Sequence, residues 1–539
     1  MRTWIFGASL SMVGGLLATS CGSAEDSMGG TMTGAPTSGS ETLTGAGGKG
    51  GSAGATGQGG GGSSNGIGGG GVSTDGGGQG GGLNDAALGT EGSVDGGPRD
   101  GGDAPTVCPD PPKPPCAATD LAGKLRCIPG LTIKPSSEPP RGYQRFDLDI
   151  EQPVDHHDPN GPKFKQRLIL LHRSATAPLV LSTSGYSLSA GATELTTTFA
   201  TNQISIEHRF FTPSVPAGSI PWDDLTIAQS AADFHHVWEA FKWLYPAKWA
   251  NTGASKGGET SVFHRRFYPC DVDATVAYVA PLVFGLDDQR FVSFVANVGG
   301  AAYASCRTKL VDLSKALLNR RAELVPKMDA SKFTKLGRDV SFEHAVLDLI
   351  FAFWQYQPAS RCNTLPAPTA SADTLFAFMN DIGLLDGADD SSYDYFLPYY
   401  YQAGLELGLP GTYDQPFTSL LRFPGTYTLE AYLPMGLRPV FRPEAMPDIQ
   451  SWVSRNGQRL MFIYGELDPW TAGAYDLGNA SDSFKFVAPL NNHGSSISEL
   501  RAADQEKALS TLERWLGVTR LTAPPPPVRF EARRRFFRF

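Results

Sequence analysis

The stretch that most restricts how this chain can fold is AKWANTGASKGGETSVFHRRFYP, residues 247–269. A short apolar run leads into Gly253-Ala254-Ser255-Lys256-Gly257, and a helical pattern then continues to Pro269. Glycine two places before and two places after a serine, between a strand and a helix, lifts that serine onto a sharp turn. The backbone there is strained, and bulk at Gly253 or Gly257 would collide with the neighbouring strand and helix. A five-residue pattern occurs by chance, so its meaning depends on what flanks it.

The flanks supply the context. YQRFDLDIEQPV (143–154) alternates as an antiparallel strand does, and FKQRLILLHR (164–173) reads as a second. APLVLSTSGY (177–186) is a continuous apolar run of the kind buried on both faces, and NQISIEHRFF (202–211) is another. Residues 225–245 have helical length and spacing, and DATVAYVAP (273–281) returns to strand. Strand, helix, strand, turn, helix, strand is a right-handed parallel α/β unit. Residues 282–440 break this pattern with helical and aromatic-rich segments. They read as a large helical cap inserted before the late core strands, RLMFIYGELDPW (459–470) and SFKFVAPLNNHG (483–494). A last helix is expected over about 497–516.

A serine on such a turn becomes a nucleophile only beside a base held by an acid. In this class of sheet the acid follows a late strand and the histidine the next one. The loop after 459–470 offers Glu466 and Asp468, and the loop after the next strand offers His493. Asp468 is assigned over Glu466, because it lies further past the strand and is clamped by Pro469 and Trp470. The oxyanion donors are expected at the N–H of Lys256 and in the STSGYS loop, at Gly185 or Tyr186. Other histidines have plainer readings: His208 joins Glu207 and Arg209 in a buried polar network, and His264 packs. His156-His157-Asp158 sits in a turn rather than in a metal site. No cofactor or metal is expected.

Composition divides the rest. Residues 22–103 hold 33 of the 63 glycines and are poor in aromatics, so they cannot bury enough apolar surface to order; they read as a tether. The remaining roughly 420 residues are ample for a large core. Residues 1–21 read as an export signal ending at Cys21, with LATSC resembling a lipoprotein cleavage box; plain secretion is the alternative. Residues 104–140 are a Pro- and Cys-rich irregular lead-in, the core runs over 141–281 and 441–518, and 519–539 form a basic tail. Setting Cys21 aside leaves six cysteines, which suggests three disulfides in an exported chain. Cys306 and Cys362 are expected to pair, and Cys270 with one of Cys108, Cys116 or Cys127. The net charge of −9 argues against a nucleic-acid partner.

With EHRFF, GASKGG, FYPCDVDATVAYVAP, FAFWQY, PYYYQAG, GELDPW and NNHG in view, residues 140–518 resemble the secreted bacterial tripeptidyl aminopeptidases. These are serine peptidases of α/β-hydrolase fold, distantly related to the prolylcarboxypeptidases. The resemblance implies Ser255, Asp468 and His493 as the triad. It also implies a cap that admits a chain terminus and excludes folded protein, with peptide or protein N-termini as substrate. A monomer is expected. It points to acids at the start of the cap, Asp287 and Asp288, as the group that holds the substrate's ammonium; Glu259 and Glu207 are rivals nearer the turn. An esterase or lipase using the same three residues, or a non-catalytic surface protein, are the competing readings.

Overall fold

A nine-stranded sheet organises the chain. The computed structural model describes residues 115–522 together with 108, 110, 112 and 113; the export signal, the tether and most of the basic tail lie outside them. In chain order the described elements before the cap are α1 (Leu121–Arg126), β1 (Leu131–Lys134), β2 (Gln144–Pro153), β3 (Lys163–His172), β4 (Leu179–Thr183), α2 (Glu194–Phe199), β5 (Asn202–Ile206), α3 (Ile227–Phe241), β6 (Trp249–Ala254), α4 (Lys256–Phe267) and β7 (Ala274–Tyr278).

The chain then leaves the sheet through α5 (Gln289–Asn297), α6 (Ala304–Asn319), α7 (Arg321–Leu324), α8 (Arg338–Tyr356), α9 (Ala372–Asp381), α10 (Leu384–Gly387) and α11 (Asp390–Gln402). It returns by α12 (Ala445–Asn456), β8 (Leu460–Gly465), β9 (Phe484–Ala488) and α13 (Ala502–Leu516).

The strand order is β1-β2-β3-β5-β4-β6-β7-β8-β9. β1, β2 and β3 pair antiparallel, β3 meets β5 antiparallel, and every later pairing is parallel. The inner parallel strands β4 to β8 are buried on both faces because helices cover both, while the edge strand β9 leaves Lys485 and Val487 exposed. Phe234, Val237, Trp238 and Phe241 of α3 pack with Leu181, Ile204 and Leu168. Leu195 and Phe199 of α2, with Leu512 and Trp515 of α13, pack with Val180, Val276 and Met461. The chain runs outward from β4 to β5 and then crosses back to β6. That reversal opens a crevice at the carboxyl ends of β4 and β6, where ligands bind in open α/β sheets. Such a sheet with a strand–turn–helix at the crevice is the α/β-hydrolase fold.

The cap helices have a core of their own. Leu310, Leu313 and Leu317 of α6 meet Phe342, Val346, Leu349 and Phe353 of α8. Cys306–Cys362 closes this layer, and Cys108–Cys270 and Cys116–Cys127 pin the lead-in. The expected pairings of Cys306 and of Cys270 are therefore present.

The lead-in is more regular than expected. It contains α1 and the edge strand β1, which pairs from Leu131↔Ile150 to Lys134↔Asp147. Four residues with every second one exposed, close to prolines, give too short a pattern to register as a strand. Similarly β5 stops at Ile206, and Glu207–Phe211 leaves the sheet. There Arg209 makes a two-point ion pair with Asp233 of α3, at 2.7 and 2.8 Å, and Glu207 accepts from Ser214. The buried network expected around His208 is thus built on an aspartate from α3. His156 joins it, at 2.8 Å from Asp233.

Candidate active site

Ser255 occupies the first tight turn after β6, with φ 56° and ψ −131°. A non-glycine residue at positive φ is costly, by about 1–3 kcal/mol, and persists only where the surroundings impose it. Here they do: the Ser255 N–H donates to Tyr278 O at 2.9 Å, and the Ser255 carbonyl accepts from Glu259 N at 3.0 Å, closing the first turn of α4. A Cβ on Gly253 would lie 2.3 Å from the carbonyl oxygen of Gly257, and one on Gly257 would lie 2.8 Å from that of Thr183. We expect Gly253→Ala to lower stability by about 2–4 kcal/mol, read from the urea midpoint of the purified protein; an unchanged midpoint would show that the turn has room.

Asp468 begins the loop beyond β8. It is fully buried, its Oδ1 accepts the Trp470 N–H at 3.1 Å, and Pro469 opens the short 3₁₀ turn that it caps. Its Oδ2 accepts from His493 Nδ1 at 2.7 Å. Because an ionised carboxylate only accepts, the His493 proton sits on Nδ1 and leaves Nε2 with a lone pair. That Nε2 is buried and makes no hydrogen bond among the described residues. Glu466, the other carboxylate of the loop, turns outward and caps the Leu490 N–H at 2.7 Å.

His493 itself is held from the cap. Its N–H donates to Gln355 O near the end of α8 at 3.1 Å, and Asn492 Nδ2 reaches Gln357 O at 3.2 Å. Trp470 and Tyr356 stand beside the imidazole, 6.1 and 6.4 Å away by ring centroids.

The loop after β4 lies against the start of α4. Lys256 Nζ donates to Gly185 O at 2.8 Å and sits 5.7 Å from the rings of both Tyr186 and Phe211. The Tyr186 N–H donates to Ser184 Oγ at 3.0 Å, so it serves an oxyanion only after leaving that bond. Burial pushes the Lys256 ammonium down to about 7 and, against the pull of Lys256, the Glu259 carboxyl up to about 8. Buried charges are costly without close pairing, so burial pushes each of the two toward its neutral form while the charge of the other holds it back.

The acids expected at the cap entrance behave differently from one another. Asp288 caps α5 and forms an ion pair with Arg290 at 2.6 Å, while also accepting the Phe284 N–H at 2.9 Å. Its charge is thus met within the protein by Arg290. Asp287 accepts from Gln289 Nε2 at 2.8 Å and faces a cavity of about 760 Å³. That cavity begins at Trp470 and Gln355, beside His493, and extends into the cap. Its walls were missed in the sequence, although His344, Asp348, Phe351 and Gln355 follow one another at helical spacings on a single face of α8.

Comparison with known proteins gives a family for the chain. Residues 114–531 match the family model described as PS-10 peptidase S37. The chain is 39% identical over 412 residues to the prolyl tri/tetrapeptidyl aminopeptidase of Streptomyces mobaraensis, covering 74% of this chain and 85% of that one. Among solved structures, proline iminopeptidase from Mycobacterium smegmatis is 11% identical with a TM-score of 0.34, over 68% of this chain and 97% of that chain. A 2-hydroxy-6-oxo-6-phenylhexa-2,4-dienoate hydrolase from a Rhodococcus strain is 10% identical with a TM-score of 0.30, over 70% and 100%. The fold assignment stands on strand order and the turn at Ser255, and the length and identity of the first two matches decide the rest: the chain belongs to the PS-10 peptidase S37 family of hydrolases.

Proposed function

We propose that the protein is an exported serine exopeptidase that removes short peptides, tripeptides foremost, from free N-termini, with a preference for proline before the cut bond. Ser255 attacks the carbonyl, His493 Nε2 takes the hydroxyl proton and returns it to the leaving amine, and Asp468 holds the imidazole. The N–H groups of Lys256 and of Gly185 or Tyr186 receive the oxyanion. Water then hydrolyses the acyl-enzyme. The observation that carries this reading is the 2.7 Å bond from His493 to a fully buried Asp468, which aims the free imidazole nitrogen away from the acid. The preference for proline is proposed from the name of the Streptomyces relative, a prolyl tri/tetrapeptidyl aminopeptidase.

Three disulfides are in keeping with an oxidising compartment. Cys21 is proposed as the lipid attachment point, and the protein as a monomer. The test is a panel of tripeptidyl p-nitroanilides, free and N-acetylated, against the purified enzyme. Free substrates are expected to be cleaved at least about ten-fold better in kcat/KM, as for a site that must fill a buried charged subsite. Equal cleavage of blocked and free substrates would remove the exopeptidase reading.

A further inference from the structure

The cavity that starts beside His493 has a carboxylate at depth. Asp348 lines it from α8, and its nearest polar partner is the Tyr427 hydroxyl at 3.5 Å, a long contact. No Lys, Arg or His among the described residues lies within ion-pair distance of it. Tyr393, Tyr400, Tyr427 and Tyr432 gather round this end of the cavity. Tyr400 and Tyr432 stack at 4.3 Å, and Tyr393 and Tyr427 stand edge-on to Tyr432 at 5.3 and 6.1 Å.

A carboxylate with no cationic partner, at a cavity end built of tyrosines, is an arrangement that can receive an alkylammonium. The acid supplies the opposite charge, and the aromatic walls tolerate a cation better than aliphatic ones would. Asp288, by contrast, already has its guanidinium. Burial raises the Asp348 carboxyl to about 6, which still leaves it ionised at neutral pH and gains from an incoming cation. His344, one turn earlier on the same face, is held down to about 4 by burial and adds no competing charge.

We propose that Asp348, within this tyrosine cage, receives the α-ammonium group of the substrate and so sets how many residues are released. Asp348 and Gln355 are two turns apart on α8, about 10 Å at 1.5 Å per residue, and Gln355 O accepts the backbone N–H of His493. The acid is thus set back along the helix from the residue that holds the base by a length of the same order as the about 10–11 Å that three extended residues span at most.

This inference rests on the exopeptidase reading, and its test separates the two. Ala-Ala-Pro-p-nitroanilide and its N-acetyl form are compared on wild type and Asp348→Asn, with Ala-Pro-p-nitroanilide as the shorter control. Asp348→Asn is expected to reduce the wild-type ratio of kcat/KM, free over acetylated, by about ten-fold or more, mainly through KM. Should Asp348→Asn not fold, Asp348→Glu keeps the charge but moves it inward by one methylene. It is expected to retain preference for free ends while changing the tripeptide-to-dipeptide ratio by three-fold or more. A wild type that cleaves no free peptide would overturn both readings. A wild type that prefers free ends, with that preference intact in Asp348→Asn, or lost in Asp287→Asn instead, would overturn the anchor alone. So would an unchanged length ratio in Asp348→Glu.

Discussion

Ser255→Ala is expected to lower kcat for a free tripeptidyl anilide by about 10⁴–10⁶-fold, with KM changed far less. The hydroxyl is the only group of that turn that can form an acyl-enzyme. Its removal leaves the oxyanion donors and the cavity in place, so binding persists while the covalent step is lost. Alanine also fits the turn as well as serine does, because the strain at φ 56° is imposed by Tyr278 O, Gly253 and Gly257 rather than by the side chain. Single-turnover measurements with the anilide give the comparison directly. Activity within ten-fold of wild type would mean that the nucleophile lies elsewhere.

Asp468→Asn is expected to cost about 10⁴-fold in kcat at neutral pH. The substitution preserves shape, since the side chain sits fully buried with Oδ1 on the Trp470 N–H. What changes is the partner of His493. The carboxylate forces the proton onto Nδ1; an amide that presents its NH₂ there favours the opposite tautomer, with Nε2 protonated and unable to act as a base. The pH–rate profile checks the cause: the variant should regain part of its rate as pH rises, whereas a variant that had merely lost its fold would not. Glu466, on the same loop, is occupied with the Leu490 N–H and offers no substitute.

How much of this was legible before the fold was known differs by element. The turn at Ser255 was readable because two glycines and a strand–helix change of period coincide within a dozen residues. Asp468 and His493 were readable because each follows one of the two late strands, β8 and β9, by a few positions. Cys306–Cys362 was readable from its seclusion in the insertion. The edge strand β1 was not, since four half-exposed residues carry no decisive period. Asp287 and Asp288 could not be told apart by spelling: Asp288 turns back on Arg290 two residues later, a choice made by the cap of α5. Asp348 was hidden for a related reason. A single acid among apolar neighbours on a helix reads as an ordinary exposed residue until tyrosines from distant segments close over it.

The bond from the His493 backbone N–H to Gln355 O has a mechanical consequence. The base hangs from the roof as well as from the sheet, so any displacement of α8 would be passed to the loop that carries the imidazole. On the reading given above, a bulky polypeptide that pushed the roof aside would also disturb the base that has to act on it.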